Sequence, residues 1–352
     1  MIVVHIGLPK SGSATIQTFL DTNEAALRGL SIDYPPLGRQ GRKAHHNFAH
    51  ELKGRAERFD HRSGRVADLV THLAKTPHRT TILSAESFAA CDGEAVARFH
   101  DQLSRAGQPL RVIMVIRDLV DLAPSSYAQK VRHGVNTYDF DAFFEERTAK
   151  DKFNVFGVAE NWAAAFGWDA LRIRVLDPAQ LVNGDLIDDF LTVAGVDPMA
   201  PEVRALPRQV RVNESAGWMT LEALRALFKG ESGLPASHPL VIRLASGLRG
   251  FEKKRIGRAG EEVGAAMGWN ADRGGYLTRG QARWMLDAYD ASLSGLNRHL
   301  AKGLPAPLDL DAREFVERAF LPDATHIPAD ALAAFYDALA ARAVVAKKNP
   351  AG

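Results

Sequence analysis

Cysteine is almost absent from the chain, because Cys91 is the only copy among 352 residues. A single cysteine excludes a disulfide within the chain, and its scarcity fits a reducing compartment. Long apolar runs are absent too, since none approaches the length that crosses a membrane. The first residues already resemble a core strand, which leaves no room for a signal peptide. We therefore expect a protein that is not membrane-spanning and is cytoplasmic.

The chain also lacks a large excess of charge of one sign. Its formal net charge is only +2, so composition offers no case for binding nucleic acid. Hydrophobic residues make up 46% and charged residues 24%, which is typical of a globular protein with a sizeable core. At this length, one large domain with a helical annex and two smaller domains are both compatible with the sequence.

The most informative stretch is MIVVHIGLPKSGSATI, at residues 1–16. Its β-branched run at 2–6 predicts a buried parallel strand. Gly7 and Gly12 permit a tight turn and a close approach of the backbone to a ligand. A helix beginning near Ala14 would direct its N–H groups and positive dipole end at the loop. Together these features predict an anion site, of the kind that usually holds phosphate.

This loop is not a Walker A motif, which requires lysine directly after the last glycine and then a hydroxyl residue for magnesium. Here Lys10 comes two residues before Gly12. The departure argues against a P-loop nucleotide kinase, which stays open as an alternative enzyme. A nucleotide-binding module without catalysis is the third class of function that the loop allows.

Further apolar runs at 79–84, 110–116 and 171–176 alternate with helical patterns. This alternation predicts an α/β fold, with these strands and the first in one parallel sheet and helices on both faces. Ligands of such sheets lie beyond the carboxyl ends of the strands. Glu86 follows the second run directly and is expected to lie near Lys10, either as a functional carboxylate or as a solvated or capping one.

Histidines cluster between the first and second runs, at His45, His46 and His50. No cysteine or carboxylate stands nearby at zinc-site spacing, which disfavours a metal. The stretch remains open to three interpretations: surface or helix-start histidines, an active-site role for His45 or His46, and metal binding.

The third run ends in Arg117-Asp118, and a helical pattern then carries Ser125 and Tyr127. An arginine offers a bidentate fork to a phosphate, and a serine hydroxyl adds one donor. This spacing resembles the 3′-phosphate motif of sulfotransferases that use 3′-phosphoadenylyl sulfate (PAPS), except that Leu119 stands where the family commonly has proline. The loop around Lys10 resembles the 5′-phosphosulfate loop of the same family, and residues 129–134 are similar to its bacterial, carbohydrate-type members.

The resemblance covers roughly residues 1–300 and implies a P-loop-like three-layer sandwich with a central parallel sheet and a C-terminal helical annex. It implies PAPS as sulfuryl donor, adenosine 3′,5′-bisphosphate as product, no metal, and a sulfate acceptor that is a saccharide or glycoconjugate. Lys10 would stabilise the leaving phosphate, and Arg117 and Ser125 would hold the 3′-phosphate. Glu86 is the preferred base, followed by His46 and His45. The residues expected to hold the 5′-phosphate are Lys10, Ser11, Gly12, Ser13, Ala14 and Thr15.

The rest of the chain predicts helices and connections. We expect one domain over 1–310, mostly helical from about 198, and a helical extension over 311–352. The extension's helix at 329–346 should pack on the core or on a partner subunit, the latter giving a homo-oligomer. Residues 249–260, RGFEKKRIGRAG, are expected to form a basic loop that is either solvated or a lid over the 3′-phosphate.

Overall fold

The structure is a computed structural model that describes residues 1–39, 43–76, 79–208, 216–270, 276–300 and 323–345. The chain divides into two compact units. The sheet unit comprises the described residues of Met1–Asp118, Asn154–Arg211 and Tyr289–Pro307. The helical unit comprises those of Leu119–Phe153, Val212–Ala288 and Leu308–Gly352. The predicted domain boundary near residue 310 lies outside the described residues.

The described part of the sheet unit contains one five-stranded parallel sheet, with the strand order β2-β3-β1-β4-β5. Its strands are β1 (Ile2–His5), β2 (Ile32–Asp33), β3 (Thr80–Ser84), β4 (Leu110–Ile116) and β5 (Leu171–Val175). The last residue of β1, His5, pairs with Ser84 of β3 and Ile113 of β4. The predicted α/β class, with these segments in one parallel sheet, is therefore confirmed.

Helices connect and surround these strands. In chain order they are α1 (Ser13–Thr22), α2 (Glu24–Gly29), α3 (His46–Leu52), α4 (Val66–Lys75), α5 (Gly93–Ser104), α6 (Leu119–Arg132), α7 (Phe140–Ala149), α8 (Val155–Phe166), α9 (Leu186–Val193), α10 (Pro201–Arg204), α11 (Trp218–Lys229), α12 (Pro239–Ala245), α13 (Gly250–Ala266), α14 (Arg279–Ala288), α15 (Asp290–Asn297) and α16 (Ala329–Val345). Within the described ranges, no helix combines the length and apolar character needed to cross a membrane.

Both faces of the sheet are covered. Val3, Ile113 and Val115 point to one face and share a buried core with side chains of α1, α2 and α9. Their neighbours Val4 and Met114, which alternate to the opposite face, are also fully buried. Helix α8 contacts β4 and β5 and packs on α5. Two covered faces explain why the strands have nearly continuous apolar sequences.

The basic stretch at 249–260 is the main error of the sequence-based interpretation, because it belongs to helix α13 and is not a loop. Its glycines are sites of close helix packing. A Cβ atom at Gly257 would stand 1.8 Å from the carbonyl oxygen of Arg132 on α6, and one at Gly264 would stand 1.9 Å from Oγ1 of Thr220 on α11. The glycines therefore let α13 lie against its neighbours in the helical unit.

Two stretches whose sequence patterns each predict one helix contain two in the structure. The helical pattern over residues 14–28 corresponds to α1 and α2, separated at Asn23. The amide of Asn23 donates hydrogen bonds to the carbonyls of Phe19 (2.9 Å) and Pro207 (3.0 Å), which holds the bend. The helical pattern over 277–300 corresponds to α14 and α15, with Tyr289 between them in the sequence. The final helix, α16, matches its predicted range and packs on α13, with the Phe335 ring stacked on Trp269.

Candidate active site at the carboxyl edge of the sheet

The loop after β1 continues the strand ladder before it turns into α1. The backbone N–H of Leu8 donates to the carbonyl of Val115 (2.8 Å), and the N–H of Val115 donates to the carbonyl of Gly7 (2.6 Å). These bonds attach the beginning of the loop to the end of β4. Because Arg117 follows β4 directly, the Lys10 loop and Arg117 share the carboxyl edge of the sheet, as predicted from their strand-end positions.

Two glycines are required where the sequence has them. Gly7 has φ +100°, and a Cβ there would approach the Cα of Glu86 to 3.1 Å. Gly12 has φ +81°, caps the N-terminus of α1, and leaves only 2.3 Å between its would-be Cβ and Leu186. Lys10, with φ +67°, is also in the left-handed region, which residues with side chains seldom adopt. The loop is thus a defined turn that packs against Glu86.

The hydroxyls of the loop differ in their surroundings. Ser11 Oγ is buried without a hydrogen-bond partner, and Ser13 Oγ donates to the carbonyl of Leu8 (3.1 Å). Thr15 and Lys10 are half-buried, and Ala14 is exposed. In this conformation Ser13 therefore contributes to the packing of the loop itself. The groups at the surface of the turn are the Lys10 side chain and the start of α1, where the first N–H groups have no partner within the helix.

Glu86 stands where β3 ends and lies next to α1. Its Oε2 atom accepts a hydrogen bond from Nε2 of Gln17 (3.2 Å), and the side chain is half-buried. The same Gln17 nitrogen donates to Oγ of Ser84 (3.3 Å). Gln17 thus holds the carboxylate at the edge of the sheet, close to the loop that carries Lys10.

A buried histidine continues this polar chain into the sheet. Nδ1 of His5 lies 2.8 Å from Oγ of Ser84, and burial lowers the pKa of His5 to about 3. The imidazole is therefore neutral at physiological pH. Sequence reasoning did not identify His5, Gln17 or Ser84 as site residues. The signal was present, since a histidine interrupts an otherwise β-branched strand and a glutamine faces the core from α1.

His45 is completely buried and both its ring nitrogens bond to the backbone. Nδ1 accepts from the N–H of Ser84 (3.1 Å), so Nε2 carries the proton that it donates to the carbonyl of Pro35 (3.0 Å). Burial, reinforced by the charge of Arg39, lowers the pKa of His45 to about 3. The ring is neutral and joins the end of β3 to the preceding loop, a geometry that favours a positioning role.

His46 begins α3 and is half-buried. Its Nδ1 lies 2.8 Å from Oγ of Ser87, the residue after Glu86, and its ring stacks near that of His50. His46 is therefore the predicted histidine that shares the Glu86 segment. Among the residues that the structure describes, no group of three or more histidine, cysteine or carboxylate side chains could hold a metal ion.

The two residues expected at the 3′-phosphate fall in different units. Arg117 is half-buried at the carboxyl edge of the sheet unit, and Ser125 is half-buried on α6 of the helical unit. Tyr127, which completes the motif, is fully buried and donates to Oε1 of Glu222 (3.0 Å). Tyr127 therefore has a structural role in the core of the helical unit.

Comparisons with known proteins add little. No known family model and no curated protein matches the chain. Among solved structures, it is similar to a sulfotransferase from Alicyclobacillus acidocaldarius, at 17% identity and a TM-score of 0.37. The match covers 57% of this chain and 87% of that one. Function therefore has to be argued from the residues of the site.

Proposed function

We propose that the protein transfers a sulfuryl group from PAPS to an acceptor hydroxyl, with a saccharide as the preferred acceptor class. One observation carries the proposal: a lysine-bearing loop that is not a Walker motif packs against Glu86 at the carboxyl edge of a parallel sheet, and Arg117 directly follows the neighbouring strand β4. The resemblance of the Lys10 and Arg117 segments to the phosphate motifs of sulfotransferases supports the same assignment.

The donors at this edge suit a phosphosulfate. Lys10 supplies a positive charge, and the N-terminus of α1 supplies N–H groups and the positive end of a helix dipole. Arg117 offers a planar fork to a second phosphate. A 3′-phosphate grip of this kind would distinguish the donor from ATP. The positive charge comes from the chain itself, so the proposed mechanism uses no metal.

PAPS supplies an activated sulfuryl group and, after transfer, is left as adenosine 3′,5′-bisphosphate. Lys10 neutralises the negative charge that develops on the departing 5′-phosphate oxygen. Glu86 accepts the proton of the acceptor hydroxyl while the new sulfur–oxygen bond forms. Gln17 holds Oε2 of Glu86, and Oε1 is the oxygen that we assign to the proton. His46 adjoins this segment through Ser87 and is the second choice for the base, whereas the enclosed His45 ring is assigned a positioning role.

Ligand selectivity tests this proposal. Purified protein should bind adenosine 3′,5′-bisphosphate in calorimetry without magnesium, more tightly than ATP with magnesium. Incubation with PAPS labelled in its sulfuryl group should then label one of a panel of saccharides. Preference for ATP with magnesium would favour the kinase alternative. Binding of the bisphosphate without transfer to any saccharide or other hydroxyl acceptor would favour the non-catalytic module.

A further inference from the structure

A pocket of about 540 Å³ lies within the helical unit, between α12, α13 and α16. Its volume is within the range of about 300–1,000 Å³ that is usual for small-molecule sites. Four of its lining residues are arginines: Arg243, Arg255, Arg258 and Arg342. The basic stretch at 249–260 supplies two of them, so the feature that sequence analysis marked as a loop is a pocket wall.

Among the described residues that line the pocket, arginines outnumber carboxylates. Glu262 is the carboxylate among the lining residues, and its Oε2 pairs with Arg342 at 2.5 Å. Arg243 donates from one terminal nitrogen to the carbonyl of Ala343, while its Nε is buried without a hydrogen-bond partner. Even without Arg255, the three guanidinium groups of Arg243, Arg258 and Arg342 outnumber this one carboxylate among the lining residues, and such an excess attracts oxyanions.

The interior of the same pocket is apolar. Ala259, which is half-buried, and Ala341, which is exposed, provide its apolar surface between the arginines. A hydrated inorganic ion gains nothing from such a surface, whereas an organic molecule gains from covering it. The combination therefore selects a ligand with an apolar body and an oxyanion group.

We propose that this pocket binds a small organic anion, with an apolar body and at least one sulfonate, sulfate, phosphate or carboxylate group. The arginines of α13 and α16 hold the oxyanion, and the apolar surface holds the body. The proposal is independent of sulfuryl transfer, because every residue that carries it belongs to the helical unit and none to the Lys10 loop.

The test uses 8-anilinonaphthalene-1-sulfonate, whose fluorescence rises in apolar surroundings and whose sulfonate is an oxyanion. The full chain should bind the dye saturably, and benzenesulfonate should displace it more effectively than inorganic sulfate does. A double variant, Arg258→Gln with Arg342→Gln, should weaken binding about tenfold or more, since hydrogen bonds to charged groups are lost. Arg283→Gln, at an exposed arginine of α14, should keep the parent affinity.

Three results would overturn the proposal: absence of saturable binding, equal affinity of the double variant and the parent, or displacement as effective by inorganic sulfate as by benzenesulfonate. Near-ultraviolet circular dichroism checks that the double variant is folded. If it is not, Arg258→Gln alone decides, because this side chain is exposed and its loss leaves the helix intact. An unchanged affinity in that folded single variant would equally reject the site.

Discussion

Glu86 and Glu222 occupy two regions that bury polar groups in different ways. In the sheet unit, a chain of His5, Ser84 and Gln17 leads outward and ends at the half-buried Glu86. In the helical unit, Glu222 is only 1% exposed.

The Glu222 network is enclosed by its own partners. Oε1 of Glu222 accepts from the hydroxyls of Tyr127 (3.0 Å) and Tyr276 (3.1 Å), and Oε2 accepts from Nε of Arg225 (2.6 Å). Burial raises the pKa of Glu222, and the Arg225 charge opposes that rise. A polar network whose members satisfy one another stabilises a core, whereas a chain that ends at a half-buried carboxylate leaves that group able to accept a proton. Replacement of glutamate by glutamine should therefore lower turnover in the sheet unit and lower stability in the helical unit.

The largest effect is expected for Glu86→Gln on turnover. Glutamine keeps the shape of the side chain but removes the proton acceptor, so single-turnover transfer from PAPS should fall by about 10²–10⁴-fold. Affinity for adenosine 3′,5′-bisphosphate should change little. Transfer close to the parent rate would reject Glu86 as the base, and a collapse of transfer in His46→Gln instead would move that role to histidine.

Glu222→Gln should act on stability. The amide retains acceptors for the tyrosine hydroxyls but leaves the buried Arg225 charge uncompensated, at a cost of about 3–5 kcal/mol in the free energy of unfolding. Urea unfolding measures this loss. The double variant Glu222→Gln with Arg225→Met should recover much of it, because no unpaired charge remains. Equal stability of the single variant and the parent would contradict the enclosed network.

The sequence predicts the sheet unit better than the Glu222 network, because the residues that determine the first are close together in the chain. The strands, the glycine loop and the place of Glu86 at the end of β3 could be predicted, because apolar runs and strand-end positions are local signals. The Glu222 network could not, since Tyr127 and Glu222 are 95 residues apart and meet only through tertiary packing. The glycines of α13 led to the wrong prediction of a loop for the same reason. Glycine disfavours a helix when only the local sequence is considered, and the need for it here comes from the close approach of neighbouring helices.

His45 shows the limit within the site itself. Its place beside His46 suggested an active-site role, but the backbone groups that bind its ring come from Pro35 and Ser84. No spacing in the sequence predicts those partners. Residue type thus drew attention to this segment, and burial then distinguished the enclosed His45 ring from the half-buried His46.

Lys10→Ala should separate the effect on turnover from the effect on nucleotide binding at the carboxyl edge of the sheet. Its hydrogen bond strengthens as charge develops on the leaving oxygen, so turnover should fall about 10²–10³-fold while bisphosphate affinity falls much less. Single-turnover rates and calorimetry measure the two quantities. Lys75→Ala, at an exposed lysine of α4 in the same unit, is the matched control and should change neither. An equal fall in both for Lys10→Ala would mean that the lysine only anchors ground-state phosphate.

Arg117→Ala should weaken binding of adenosine 3′,5′-bisphosphate by roughly tenfold to a hundredfold, the value of a charged hydrogen bond. Adenosine 5′-monophosphate, which lacks the 3′-phosphate, provides the comparison within the same experiment. Its affinity should change little, because the arginine is assigned to the missing group. A similar loss for both nucleotides would place Arg117 at the 5′-phosphate or in the structure of the loop.

The smallest effect concerns His5, at the inner end of the polar chain that leads to Glu86. Burial lowers the pKa of His5 from its ordinary 6.5 to about 3, so between these values the unfolded chain binds a proton that the folded chain does not. Stability contributed by the neutral ring is therefore complete above pH 6.5 and is lost as the pH falls, by about 1 kcal/mol between pH 6.5 and 5.5.

His5→Gln should lose this contribution, so that the free energy of unfolding depends less on pH across that interval. His45→Gln should reduce the slope by a similar amount, since burial and the Arg39 charge also lower the pKa of His45 to about 3. Urea unfolding at both pH values gives each slope. A slope identical to that of the parent in His5→Gln would show that this histidine does not resist protonation, and the chain behind Glu86 would then be charged at mildly acidic pH.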